Sequence, residues 1–254
     1  MKIVMKYKDL REFFEIHAKV ALAFSGGVDS AYLLKEAVNF GTEVKAYFVK
    51  SQFQPKFELE DAVRLAEKLG ADMKVISCDV LADPVICENS GNRCYYCKNR
   101  IFRDILQAAK EDGFETVIDG TNASDDADDR PGMRALSEMK VLSPLRLCGI
   151  TKEEVRRRSK EEGLFTWDKP AYACLATRIP QGEKITEEKL HRIEFAEKAL
   201  SSMGFSDFRI RLFHGAARLQ VKASQMERAV CRREEIRAAL KPYFDNVLLD
   251  LEER

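Results

Sequence analysis

Three groups of residues in this chain have the types and the spacing to do chemistry. The first is Ser25-Gly26-Gly27-Val28-Asp29-Ser30, set between a short apolar run and an amphipathic stretch. Paired glycines let a backbone turn tightly and bring its N–H groups against an anion. Ser30 and the N-terminus of the following helix would add donors and a favourable dipole. Asp29 could hold a Mg2+ that accompanies pyrophosphate. The Gly-Lys-Ser/Thr of a Walker A loop is absent, so γ-phosphoryl transfer is not favoured. The second group is Cys94-Tyr95-Tyr96-Cys97, just before a predicted helix, and the third is Cys174, far along the chain. Thiols this close suit a metal, an iron-sulfur cluster, or redox and persulfide chemistry. Zinc would need a fourth ligand, and the histidines are His17, His191 and His214. Seven cysteines, an odd count with no export signal, do not read as a disulfide framework. Cys78, Cys87, Cys148 and Cys231 read as small buried apolar side chains.

The elements that must position these residues alternate along the first half. Residues 20–24, 44–49, 73–78 and 116–119 read as strands, and 29–39, 57–69 and 98–113 as helices. Strands alternating with helices predict an α/β fold with a doubly wound parallel sheet. Ligands of such sheets sit at the carboxyl ends of the strands. The loops after Phe24, Val49, Cys78 and Asp119 are therefore expected around one pocket. Thr151-Lys152-Glu153-Glu154 is a capping box opening a helix that Gly163 ends. Residues 166–186 are loop-like. The pattern then changes to a helix at 187–203, a hairpin over 208–221 turning near His214-Gly215, a helix from a second capping box at Ser224–Glu227, and a strand at 246–252. The expected division is 1–182, carrying the phosphate loop, and 183–254, a small α+β domain that contributes to the substrate site.

Hydrophobic residues make up 45% and charged residues 33% of 254, which supports a sizeable core and excludes general disorder. Lys+Arg and Asp+Glu are both 42, so no whole-surface attraction to nucleic acid or an anionic membrane is expected. No apolar run approaches the roughly 20 residues of a membrane span. A cytoplasmic protein is expected, forming a homo-oligomer, with no nucleic-acid or membrane partner.

Ser25–Ser30 resembles the PP-loop of the N-type ATP pyrophosphatases, whose fold is of the adenine nucleotide alpha hydrolase type. Gly120-Thr121-Asn122 resembles the segment that flanks nucleotide in these folds. Asp125, Asp128 and Asp129 follow it, and a solvated acidic loop is the plain alternative for them. The resemblance implies ATP and Mg2+ as cofactors, cleavage to AMP and pyrophosphate, and adenylation of a substrate oxygen.

A narrower resemblance rests on Asn92–Lys98 (NRCYYCK), SPLR at 143–146, the run from Trp167 through CLATRIPQGEKIT, and RIRLFHGAARLQV at 209–221. Together they resemble the LarE sulfur transferases of nickel-pincer nucleotide synthesis, over nearly the whole chain. The implied substrate is a pyridinium dicarboxylate mononucleotide, whose carboxylates become thiocarboxylates. Cys174 matches the key cysteine of that family, which in one branch is sacrificed as the sulfur donor. Having Cys94 and Cys97 as well, this chain resembles the branch in which three thiolates hold a 4Fe-4S cluster fed by a sulfide source. The same resemblance implies that Arg178, as a catalytic residue, and Glu197, Arg209 and Arg211 face substrate; exposed arginines on a strand and an ordinary helical glutamate are the plain alternative. The rival is a PP-loop tRNA thiolase, against which the balanced charge argues.

Overall fold

The computed structural model describes residues 6–125 and 131–254; Asp128 and Asp129 lie outside them. The described chain packs as two compact units. The second gathers Gln52–Pro55, Val80–Arg93 and Pro170–Arg254, and the first holds the rest of the chain up to Lys169.

In the first unit, α1 (Leu10–Ile16) precedes β1 (Lys19–Ala23), α2 (Val28–Asn39), β2 (Glu43–Lys50), α3 (Lys56–Leu69) and β3 (Asp72–Ser77). The strands form one parallel sheet in the order β3-β2-β1-β4, with β4 at Val117–Asp119. In register, Leu22 of β1 lies between Ala46 of β2 and Ile118 of β4. Strand β1 is buried through Val20–Leu22 because helices cover both faces of a parallel sheet. Phe13, Leu22, Leu33, Phe48, Leu65 and Val155 meet in its core.

The chain adds strands outward from β1 through β2 to β3, then returns to place β4 on the other side of β1. The strand order therefore reverses between β1 and β4, and the loops leaving those two strands open the crevice where ligands of such sheets bind.

Between β3 and β4 come α4 (Pro84–Cys87) and α5 (Arg93–Glu111). Helix α5 begins five residues earlier than its apolar periodicity suggested, so Cys94 and Cys97 lie within its first turns and not ahead of it. After β4 come α6 (Pro131–Glu138), α7 (Pro144–Leu147) and α8 (Lys152–Glu161). The Thr151 capping box forms as expected: its hydroxyl accepts from Glu154 N–H, and Glu154 accepts from Thr151 N–H.

The second unit carries a 3-10 turn (Leu175–Arg178), α9 (Glu187–Ser202), β5 (Arg209–Phe213), β6 (Ala216–Gln220), α10 (Ala223–Cys231), α11 (Arg233–Leu240) and β7 (Val247–Leu249). Strands β5 and β6 form the expected antiparallel hairpin, and β7 joins β6 in parallel. The second capping box does not form. Helix α10 starts at Ala223 with Lys222 as its cap, so Ser224 is already inside the helix, past the position from which a hydroxyl caps. None of the described helices is long and apolar enough to cross a membrane.

Candidate functional site

The loop after β1 is shaped by its own hydrogen bonds. Ser30 Oγ donates to Gly27 O at 3.2 Å, Ser25 N donates to Ser30 Oγ at 3.3 Å, and Gly27 N donates to Ser25 Oγ at 3.4 Å. Gly26 has φ +70°, a left-handed conformation that a Cβ would strain, and a Cβ there would also lie 3.2 Å from Ala62 Cβ. From the other side of the crevice, Gly120 approaches so closely that a Cβ on it would lie 2.8 Å from Ser30 N. The absence of that Cβ lets the β4 loop close on the start of α2.

Thr121 and Asn122 serve this packing. Thr121 donates through its N–H and hydroxyl to Asp119, at 3.2 and 2.6 Å, and Ser143 Oγ adds a third bond to that carboxylate at 2.7 Å. Asn122 Nδ2 donates to Asp29 Oδ1 at 3.3 Å, and Asn122 Oδ1 accepts from Ser124 N at 2.8 Å. Val28 is buried below the loop.

Two lysines that the motif reading passed over reach this loop. Lys152, the first residue of α8, is ion-paired to Asp29 Oδ2. Lys169 Nζ pairs with Asp61 at 2.8 Å and donates to Gly26 O at 3.4 Å. No Walker lysine stands in sequence next to the glycines, yet two ammonium groups stand beside them in space. The sequence held one hint: Lys152 follows a cap at the positive end of a helix, where acids are the rule.

All seven cysteines are thiols. Cys78, Cys87 and Cys148 are buried as expected, and burial pushes the Cys78 thiol up to about 12 and that of Cys148 to about 11. Cys231, expected in the core, is exposed at the last turn of α10, whose buried face is set by Ala229 instead. Cys94 is exposed and Cys97 half-buried, one turn apart on α5, the spacing that puts two side chains on one helix face. Among the described residues, no group of three or more His, Cys, Asp or Glu is placed to hold a metal ion.

In the second unit Cys174 caps the 3-10 turn and lies on a segment gripped by arginines. Arg209 Nη2 donates to Ala171 O at 2.6 Å, and Arg254 Nη2 to the same oxygen at 2.9 Å. Arg178 Nη1 donates to Ala173 O at 2.6 Å and Cys174 O at 3.3 Å. Arg93 and Arg211 take Ala176 O and Thr177 O at 3.0 and 2.8 Å. Five guanidinium groups thus fix carbonyls on both sides of Cys174.

Arg178, only 1% exposed, makes a two-point pair with Glu197, Nε to Oε1 at 3.0 Å and Nη2 to Oε2 at 3.3 Å. Glu197 also accepts from Ile210 N at 3.0 Å and from Tyr172 Oη at 2.5 Å. The Tyr172 ring lies against Arg178 and Arg209, 4.4 and 5.0 Å from ring centre to guanidinium carbon. Burial first, then the Glu197 charge, raises its phenol. Burial and then the neighbouring Arg178 push Arg209 down to about 10, and the same two causes lower Arg211. Arg178, Glu197, Arg209 and Arg211 are therefore brought together around the Cys174 segment, with guanidinium groups in excess. Tyr172, Arg93 and Arg254 join them, none of which had been given a role from the sequence.

A parallel sheet whose order reverses at a Ser-Gly-Gly loop without a Walker lysine places the chain in the PP-loop class. A tRNA-specific 2-thiouridylase of Treponema denticola is 29% identical over a match covering 59% of this chain and 47% of its own length. No family model matches the chain. Over 98% of its length it is 32% identical to the pyridinium-3,5-bisthiocarboxylic acid mononucleotide synthase of Lactiplantibacillus plantarum, covering 89% of that protein. An uncharacterised Synechocystis protein is 38% identical over 89% of this chain and 84% of its own length. The chain belongs to the family of that mononucleotide synthase, the LarE sulfur transferases.

Proposed function

We propose that the chain adenylates a carboxylate of a pyridinium dicarboxylate mononucleotide and converts it to a thiocarboxylate. In the first half-reaction a carboxylate oxygen attacks the α-phosphorus of MgATP, the α–β phosphoanhydride bond breaks, and pyrophosphate leaves. In the second, a sulfur nucleophile attacks the acyl carbon and AMP leaves with the bonding electrons. The observation that carries the reading is the loop after β1, where Ser25–Ser30 turns tightly into the N-terminus of α2 and Gly120 closes against Ser30 N. This arrangement holds a departing pyrophosphate. Asp29 is the residue assigned to Mg2+. The guanidinium excess of Arg178, Arg209 and Arg211 supports an anionic substrate beside Cys174, because an added negative charge relieves their mutual repulsion.

Cys94, Cys97 and Cys174 are assigned as ligands of a 4Fe-4S cluster. Their donor chemistry fits: three thiols, two of them one turn apart and at least partly accessible. Gathering the three is part of the proposal. Three thiolates would leave one iron without a protein ligand, open to carry exchangeable sulfide. Cys174 then ligates and is not consumed, and the arginine grip on its carbonyls holds its position.

Product analysis tests the reaction class. Incubated with ATP and the dicarboxylate mononucleotide, the protein is expected to release AMP and pyrophosphate in equal amounts, and Asp29→Ala is expected to abolish both. Release of ADP and phosphate would overturn the assignment. A salt-dependent gel shift with tRNA would favour the thiolase reading.

A further inference from the structure

We propose that Lys152 is an exchangeable counter-ion of the phosphate loop. It holds the Asp29 carboxylate while the loop is without nucleotide, and yields Asp29 to the divalent cation of MgATP, its own ammonium then turning to the phosphates. This inference rests on the reading of Ser25–Ser30 as an ATP loop.

The placement of Lys152 breaks a local rule. At the first position of α8 the helix dipole disfavours a cation, and Glu153 and Glu154, the other residues of that turn, obey the rule. What offsets the penalty is Asp29, which lies 123 residues away in sequence. The backbone of Lys152 is fixed, its N–H donating to Ser124 Oγ at 3.1 Å behind the Thr151 cap. From this fixed root the side chain reaches the loop, where its ammonium meets Asp29.

Asp29 supplies the other half of the exchange. Its Oδ1 accepts from Asn122, leaving Oδ2 to Lys152. A carboxylate at the first turn of α2 would repel a polyphosphate unless a cation neutralised it. An ammonium and a divalent cation cannot share one oxygen at contact distance, so binding of one releases the other. Both side chains keep contact with solvent, 33% exposed for Lys152 and 20% for Asp29, so a ligand arriving from water reaches the pair. Lys169 makes the contrast: 15% exposed and held by both Asp61 and the Gly26 carbonyl, it is a fixed part of the loop.

The test compares wild type, Lys152→Met and Asp29→Asn, each first shown to be folded by thermal melting. Calorimetry reads ATP affinity with Mg2+ and with EDTA, and electron paramagnetic resonance reads Mn2+ binding without nucleotide. Lys152→Met is expected to bind ATP in EDTA about tenfold or more weaker than wild type, and to bind Mn2+ alone more tightly because Asp29 is unmasked. Asp29→Asn is expected to keep at least wild-type ATP affinity in EDTA and to lose the gain that Mg2+ brings. Lys152→Met matching wild type in both measurements would overturn the exchange, and if that variant does not fold, weakened ATP binding by Asp29→Asn in EDTA would overturn it instead. Wild-type protein that binds no ATP in either buffer would remove the ATP reading itself, a result distinct from a wild type that binds ATP and a Lys152→Met that behaves like it.

Discussion

The most demanding residue in the second unit is Arg178. Its guanidinium is wholly buried, pairs with Glu197, and also donates to Ala173 O, Cys174 O and Thr177 Oγ1. Removing one member of a buried pair leaves the other as an uncompensated charge. Arg178→Ala is therefore expected to cost about 3–5 kcal/mol of stability, read from the denaturant midpoint at constant slope. Glu197→Gln should cost less, because the amide oxygen still accepts from Ile210 N or the guanidinium. An unshifted midpoint for Arg178→Ala would contradict this structural role. The sequence marked Arg178 by its place four residues after Cys174. It could not show that the same side chain reaches back to the carbonyls before it, since that needs the 3-10 turn at Leu175–Arg178. Tyr172 and Arg93 stayed hidden for the same reason: their partners Glu197 and Ala176 lie 25 and 83 residues away.

At the scale of elements, periodicity and caps carried most of the first unit. Strands β1 to β4 and helices α2, α3 and α8 lie within a residue or two of the expected bounds, since each has a regular apolar pattern and a stop or a cap. The start of α5 was missed because Arg93–Cys97 has polar and aromatic residues and no apolar repeat to announce a helix. The short helices α4 and α7 begin at Pro84 and Pro144 and are four residues long, too short for an apolar repeat to show.

Where α5 ends, one carboxylate ties it to the sheet. Asp112 accepts from Tyr47 Oη at 2.9 Å, from Lys74 at 3.1 Å and from Lys45 at 3.2 Å. The Lys74 bond first, then that of Tyr47, hold its carboxyl at about 2, below its ordinary 3.8. A carboxyl lowered on folding contributes stability that is fully present above the ordinary value and is lost as pH falls through about 2. The stability difference between wild type and Asp112→Asn is therefore expected to persist at pH 5 and to shrink as pH falls from about 4 toward 2. A difference that stays constant over that range, in urea unfolding at each pH, would contradict this role.

For the whole molecule, the parallel sheet and the tight Ser-Gly-Gly turn after β1 were legible from alternating strands and one hexapeptide. The make-up of the second unit was not, because it takes in Gln52–Pro55 and Val80–Arg93 from within the first half. Asn89 shows how: buried, with φ +55°, it donates to Ile179 O, Pro180 O and Glu183 O, and its own Oδ1 accepts from Arg93 Nη1. A single amide thereby fastens the Val80–Arg93 stretch to the Cys174 segment's C-terminal side, through bonds that span about ninety residues.

The intact mass of the protein after turnover tests the central claim most directly. Anaerobically prepared, iron-loaded protein is given MgATP, sulfide and the pyridinium dicarboxylate mononucleotide, and AMP is counted in the same sample. The expected result is several AMP per chain with the mass of the polypeptide unchanged, because in the proposed role Cys174 ligates the cluster and keeps its sulfur. One AMP per chain and a stoichiometric loss of one hydrogen sulfide per chain, mapped to dehydroalanine at Cys174, would contradict it.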